Sequence, residues 1–271
     1  MASATPCGRA WWRRFARPRD GGVEWRLAVV SGELVTDGVY RLGTVWVGWY
    51  VIVEETVTVV DCGFPGYHDQ LPTALAKLDR SLDSVSAVVL THYHSDHVGA
   101  AERIRSETGA IVYVPAGDAD GVRTGKVPPP GGMVSSLWRP RMMRYMAHAA
   151  INGGARVRPV AEFRTYQDGE VLTGAGGLRV VHTPGHTAGH CSLLLERAGV
   201  LFAGDALATF DFFFSGRTSP RLVRFNEDAR QARESLSRLE SLDADVIAVG
   251  HGSPFKGTPA EAAAAARMAS D

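Results

Sequence analysis

The run Thr91-His92-Tyr93-His94-Ser95-Asp96-His97 puts three imidazoles and a carboxylate within six positions. It follows the apolar stretch Ala87 to Leu90, which reads as a short buried strand. Alternation along extended chain sends His92 and His94 to one side, and the chain then turns into a helix starting near Asp96 and His97. Two pairs of donors thus point at neighbouring spots. A lone histidine would read as an ordinary core or surface residue. Three with an aspartate behind an apolar strand are costly to bury unless something positive compensates them, and metal binding is the chemistry implied.

Further donors follow, each at the end of an expected strand: His186 in Thr183-Pro184-Gly185-His186, Asp205 in Ala203-Gly204-Asp205, and His251 in Gly250-His251-Gly252. The glycines permit tight turns that bring these side chains to one rim. The candidate metal ligands are therefore His92, His94, Asp96, His97, His186, Asp205 and His251. With Asp205 bridging, each of two cations has three protein ligands of its own and a position left for water, as in catalytic sites. Two divalent cations outweigh Asp96, Asp205 and one bridging hydroxide by about one charge, enough to bring the pKa of bound water towards about 7. Hydrolysis by a metal-bound hydroxide is the expected reaction. Asp96, as a proton shuttle, and Asp205, as the bridge, are the candidate catalytic residues. Imidazole and carboxylate suit several metals, so the expected cofactor is two divalent ions, zinc first, with Mn2+ or Fe2+ as alternatives.

The elements that must position these groups begin with β-type runs at Val39 to Leu42, Thr44 to Val53 and Val57 to Asp61. A helix is expected at Tyr67 to Leu78, the strand Ala87 to Leu90, a helix from His97 to about Glu107, and a strand at Ile111 to Val114. Residues 116 to 154 break the rhythm and read as an insert of loop and short helix. Its Met and aromatic residues suit core packing first and a lid over the site second. Its acid-free run of Arg139, Arg141, Arg144, Arg156 and Arg158 suits a solvated face first and an anionic substrate second. Strands are then expected at Leu178 to His182, Cys191 to Leu195, Val200 to Ala203 and Val246 to Val249. A helix from about Glu227 to Leu242 lies between the last two, capped by Asn226. Two β-rich halves with helices outside give an α/β fold, a four-layer αββα sandwich with its strand ends along one rim.

The chain has 271 residues, with 29 basic residues against 29 acidic ones. No global field favours nucleic acid or an anionic membrane, and no apolar run is long enough to span a bilayer. Expected partners are a small-molecule substrate and, as an oligomeric form, a second copy in a homodimer; nucleic acid and membrane are not expected. Cys7, Cys62 and Cys191 form no Cys-x-x-Cys pair, and no signal-peptide stretch is legible at the N-terminus, so a cytoplasmic protein is expected. Residues 1–34 read as an N-terminal extension and 35–271 as one domain carrying the insert.

The ordered set His-x-His-x-Asp-His, then His186, Asp205 and His251, resembles the metallo-β-lactamase superfamily over roughly residues 35 to 255. That resemblance implies the αββα fold. It implies His92, His94 and His186 on one metal and Asp96, His97 and His251 on a second, with Asp205 between them. Asp61 in Val60-Asp61-Cys62-Gly63 matches the family's Asp-x-Gly turn and would orient a ligand histidine. His190 also matches a frequent family position, where a structural hydrogen bond beside the site is the favoured reading.

The departures narrow the branch. Zinc β-lactamases of the commonest class carry Cys where Asp205 stands, so β-lactam hydrolysis is a secondary expectation. Flavodiiron proteins replace the second His, present here as His94. Glyoxalase II enzymes share the ligand set but add a helical glutathione-binding domain, whereas 20 residues follow His251 here. The remaining likeness is to compact lactonases and esterases, and the expected substrate bond is ester-like: lactone, ester or thioester. Such lactonases present a Tyr three residues after the bridging Asp, where this chain has Ala208. Either Tyr93 or Tyr145 substitutes, or the leaving group does without. Phe210, Phe212, Phe213 and Phe214 suit an apolar pocket and core packing equally. The competing enzyme class is a mononuclear iron persulfide dioxygenase; a non-catalytic binding module on the same scaffold would usually have lost ligands.

Overall fold

Alternating apolar residues build two sheets that pack face to face. A computed structural model describes residues 30–126, 133–211 and 215–269. The strands of the first sheet, in spatial order, are β1 (Val30–Thr36), β2 (Val39–Gly43), β3 (Gly48–Val53), β4 (Val57–Val60), β5 (Val85–Val89), β6 (Ile111–Pro115) and β7 (Arg164–Tyr166). From β1 to β4 neighbours are antiparallel, and from β4 to β7 they are parallel. Next in the chain come β8 (Val171–Leu172), β9 (Leu178–His182), β10 (Cys191–Leu195), β11 (Val200–Gly204), β12 (Ala208–Phe210), β13 (Thr218–Arg221), β14 (Val246–Val249) and β15 (Phe255–Lys256). The second sheet has the order β15-β14-β11-β10-β9-β8, and β12 pairs with β13 separately. The helices are α1 (Gln70–Lys77), α2 (Ser95–Val98), α3 (Ala101–Thr108), α4 (Ala119–Thr124), α5 (Pro140–Ile151), α6 (Ala229–Glu240) and α7 (Pro259–Met268).

Period-two patterning assigns each strand residue to a layer. In β11, Val200 and Phe202 enter the core between the sheets, while Leu201 and Ala203 face the helices. Tyr50, Val89, Leu193 and Phe202 fill the inter-sheet layer. Leu71, Leu75 and Ile104 cover the first sheet's outer face. Leu236, Leu239, Ala262 and Ala266 cover the second. The result is the four-layer αββα sandwich, and fully burying a side chain such as Leu236 or Phe202 contributes roughly 1.5–3 kcal/mol before entropy is counted. The Tyr50 hydroxyl donates to Val249 O at 2.8 Å and ties one sheet to the other near the rim. Among the described residues no helix is long and apolar enough to cross a membrane.

The element boundaries differ from expectation where tertiary contacts intervene. The first sheet already pairs at Val30, ahead of the expected domain start at 35. Thr44 to Val47 is a turn closed by Thr44 N–H to Val47 O at 2.8 Å, so strand β3 starts only at Gly48. The helix expected from His97 to Glu107 is two, α2 and α3, parted at Gly99, where an added Cβ would lie 2.4 Å from Gly63 O. Asn226 does not cap α6. Its amide donates to Val223 O at 2.7 Å, while Asp228 accepts from Gln231 N–H at 2.9 Å. Helix α7, with a Thr258/Glu261 capping box, and strand β1 were not expected. Cys62 and Cys191 are buried free thiols, and Cys7 lies outside the described residues.

Replacing Asp228→Ala is expected to lower the unfolding free energy by about 1 kcal/mol in denaturant melts. A change below a few tenths would contradict this cap.

Candidate metal centre

Every sequence-expected donor is delivered to one rim by the end of a strand or the helix that follows it. His92 and His94 lie between β5 and α2, Asp96 and His97 sit in α2, His186 lies between β9 and β10, Asp205 follows β11, and His251 follows β14. All seven side chains are buried, His92 and His97 completely. They converge as three groups whose donor atoms lie within 4.8 Å of one another: His92, His94 and His186; Asp96, His97 and His251; and His92, His97 and Asp205. His94 Nδ1 and His186 Nε2 approach to 2.9 Å. Asp205 Oδ2 is 3.0 Å from His251 Nε2 and 3.3 Å from His186 Nε2, and its Oδ1 is 3.4 Å from His97 Nε2.

Hydrogen bonds behind the rings decide which nitrogen each presents. Asp61 Oδ2 accepts from His97 Nδ1 at 2.8 Å, leaving Nε2 aimed at Asp205. The Asp61 carboxylate also accepts from Thr91 N–H at 2.8 Å and the Thr91 hydroxyl at 2.9 Å; that hydroxyl lies 3.0 Å from His92 Nδ1. Asp61 has φ 57°, left-handed backbone that Asp tolerates better than most residues. His251 Nδ1 donates to Trp46 O, in the turn before β3. His190 is a backbone clamp: its Nε2 accepts from Asp205 N–H at 2.9 Å, and its Nδ1 lies 2.9 Å from the Thr183 hydroxyl. Gly250 is required here, because an added Cβ would lie 2.3 Å from Asp205 Oδ1.

Electrostatics divide the histidines. Burial depresses His92 far below the ordinary range, His94 to about 4 and His186 to about 3, so their lone pairs are free at neutral pH. Burial alone would depress His97 too, but Asp205 and Asp61 outweigh it and hold the ring well up. Asp205 is itself held far below the carboxylate range, as His251, His97 and His186 overcome the cost of burial. Within this nest His92 Nε2, His97 Nε2, His186 Nδ1 and Asp205 Oδ1 have no hydrogen-bond partner. Buried orphans cost free energy unless a further group satisfies them. Imidazole nitrogens and carboxylate oxygens turned inward on a cavity fit divalent cations.

A cavity of about 260 Å³ opens on this nest, lined by Phe64, Met133, Met146, Val223 and Phe225 as well as His94, Asp96, Asp205 and His251. The insert builds much of one wall. Helix α5 buries Met142 and Tyr145 and turns Met146, Ala149 and Ala150 to the cavity, so packing and site-lining share one helix. The Tyr145 hydroxyl donates to Asp96 Oδ2 at 2.7 Å, whereas the Tyr93 hydroxyl donates to Glu227 Oε1 at 2.9 Å on another face. Of the two tyrosines singled out in the sequence, Tyr145 is therefore the one at the nest. None of the insert's arginines lines the cavity. Phe210 packs in the core and also lines a neighbouring cavity with Ala208 and His251, and Phe212, Phe213 and Phe214 lie outside the described residues.

Asp118 carried no signal in the sequence, yet it joins the two ligand loops. It accepts from Tyr93 N–H at 3.2 Å, the Thr187 hydroxyl at 2.7 Å and Gly189 N–H at 2.8 Å. Burial, with Glu227 nearby, pushes its carboxyl up to about 6. The folded chain thus keeps a proton that the unfolded chain releases near about 4. The stability held by that proton is complete below about pH 4 and is lost as pH rises through about 6. Between about pH 4 and 6, the stability of the wild type relative to Asp118→Asn is expected to fall, as read by melts across that range. A pH-independent difference would contradict this.

A family model described as the metallo-beta-lactamase superfamily matches residues 42–251. The chain is 30% identical over 189 residues to the probable metallo-hydrolase YflN of Bacillus subtilis, covering 64% of this chain and 66% of that protein. It is 30% identical over 168 residues to a hydroxyacylglutathione hydrolase of Cereibacter sphaeroides, covering 62% of this chain and 48% of the relative. It thus spans about two thirds of the first relative and about half of the second. A solved metallo-beta-lactamase family protein from Thermus thermophilus superposes with a TM-score of 0.60 at 27% identity, covering 84% of this chain and 78% of that one.

Proposed function

The chain belongs to the metallo-β-lactamase superfamily of metal-binding hydrolases, and from that premise we propose that it uses a two-cation centre to hydrolyse an ester-type bond in a small molecule. The observation that carries the reading is that one carboxylate faces both triads: Asp205 Oδ2 lies near His186 of one and His251 of the other. His92, His94 and His186 would hold the first cation, Asp96, His97 and His251 the second, with Asp205 shared. When bound, two such ions supply Lewis acidity and water made acidic enough to react at neutral pH.

The chain's own groups do the positioning. Asp61, Trp46 O and the Thr91 hydroxyl hold His97, His251 and His92 so that Nε2 of each faces inward. His190 fixes the backbone of Asp205. Tyr145 holds one oxygen of Asp96 and keeps its proton, because burial and the Asp96 charge push the phenol well up. It supplies a hydroxyl to the nest from α5, whereas Ala208 offers none. Phe64, Met133, Met146, Val223 and Phe225 exclude water from the rest of the cavity and suit an apolar acyl group. A neighbouring cavity shares Val223 and His251 and carries Arg221 and Arg224, so lactone, ester and thioester all fall within the reading.

Elemental analysis of protein purified without chelators is expected to give about two zinc or manganese ions per chain, with turnover on a lactone and ester panel. Asp205→Ala is expected to weaken both positions and abolish turnover. One iron per chain with oxygen consumption, or near-normal activity and metal content in Asp205→Ala, would overturn the proposal.

A further inference from the structure

Helix α5 presents solvent with a face that a globular chain normally hides. Trp138, Met143 and Ile151 are 72%, 59% and 84% exposed, and Leu137 is exposed beside them. Met143, Ala147 and Ile151 recur every four residues, which lines them along one side of the helix while Met142 and Tyr145 face inward. The Arg139 guanidinium lies 4.9 Å over the Trp138 ring. From Met133 to Val160 the chain carries Arg139, Arg141, Arg144, Arg156 and Arg158 and no acidic residue. Arg144, Arg156 and Arg158 are exposed. The same segment supplies Met146, Ala150, Gly154 and Ala155 to the cavity wall, so the patch adjoins the way into the site.

We propose that this face docks on an anionic lipid surface. Trp138, Met143 and Ile151 would enter the headgroup boundary, and the arginines would meet lipid phosphates. The balanced whole-chain charge, which argued against a membrane partner, averages over this local segregation. A second copy of the chain fits this face less well, since a two-fold contact sets the arginines of this segment, of which Arg158 has Glu102 beside it, against themselves. Docking places the apolar cavity wall next to acyl chains, where an apolar substrate would be concentrated.

Co-sedimentation of the full chain with vesicles tests this. Binding is expected to vesicles of phosphatidylcholine with phosphatidylglycerol, to be much weaker to phosphatidylcholine alone, and to fall as salt rises. Arg144→Glu combined with Arg158→Glu is expected to lower the bound-to-free ratio by more than about tenfold. Combining Trp138→Ser, Met143→Ser and Ile151→Ser should also weaken binding, both variants keeping the wild-type melting temperature. No preference for the anionic vesicles, or binding that survives both variants, would overturn the proposal. So would a dimer in sedimentation velocity that the serine variant dissociates.

Discussion

The carboxylate of Asp205 lies within 3.0 to 3.4 Å of ring nitrogens of His97, His186 and His251, with all four side chains buried. Such a concentration of polar groups away from water is tolerated only when charge and hydrogen bonding close around it. The protein meets the requirement from outside by fixing the rear nitrogens of His92, His97 and His251 and the backbone of Asp205. On the inside it leaves buried atoms of His92, His97 and Asp205 without protein partners. His186 departs from this pattern, its Nδ1 also lacking a partner, but for His92, His97 and Asp205 the asymmetry of contacts behind and orphaned atoms in front marks the rim as a metal site.

The sandwich exists, in functional terms, to hold those rear contacts. The turn at Thr44 to Val47 interrupts what reads as one long strand, and in doing so grips the loop of His251. Gly48 N–H donates to Gly250 O, Gly252 N–H to Val45 O, and the buried Arg41 guanidinium to Gly252 O at 2.8 Å. Gly250 N–H reaches Gly204 O, joining the His251 and Asp205 loops. Asp118 does the same for the loops of His94 and His186. The ligand loops are therefore braced from several parts of the chain.

Much of this was legible in the sequence where local pattern and tertiary environment agree. Strands Leu178–His182, Cys191–Leu195 and Val246–Val249 stand as expected because they are apolar runs in the interior of a sheet. The ligand residues were legible because strand-end glycines and clustered histidines have few other uses. Strand β1 carries glycine and polar residues at a sheet edge, where pairing rather than patterning defines it. The split at Gly99 depends on how closely Gly63 approaches, and the caps Asn226 and Asp228 are equally plausible by residue type. Trp46 acts through its carbonyl, Asp118 through contacts 25 to 71 residues away, and no residue-type signal announces either.

The function follows from the same asymmetry. Two triads on either side of one carboxylate, opening into a mostly apolar cavity, favour the proposed two-cation hydrolase acting on an ester-type bond. Anomalous diffraction at the absorption edge of the native metal, from crystals grown without chelator, tests the central claim most directly. The account predicts two peaks per chain, one among His92, His94 and His186 and one among Asp96, His97 and His251, with Asp205 between them. A single peak, or peaks away from Asp205, would contradict it.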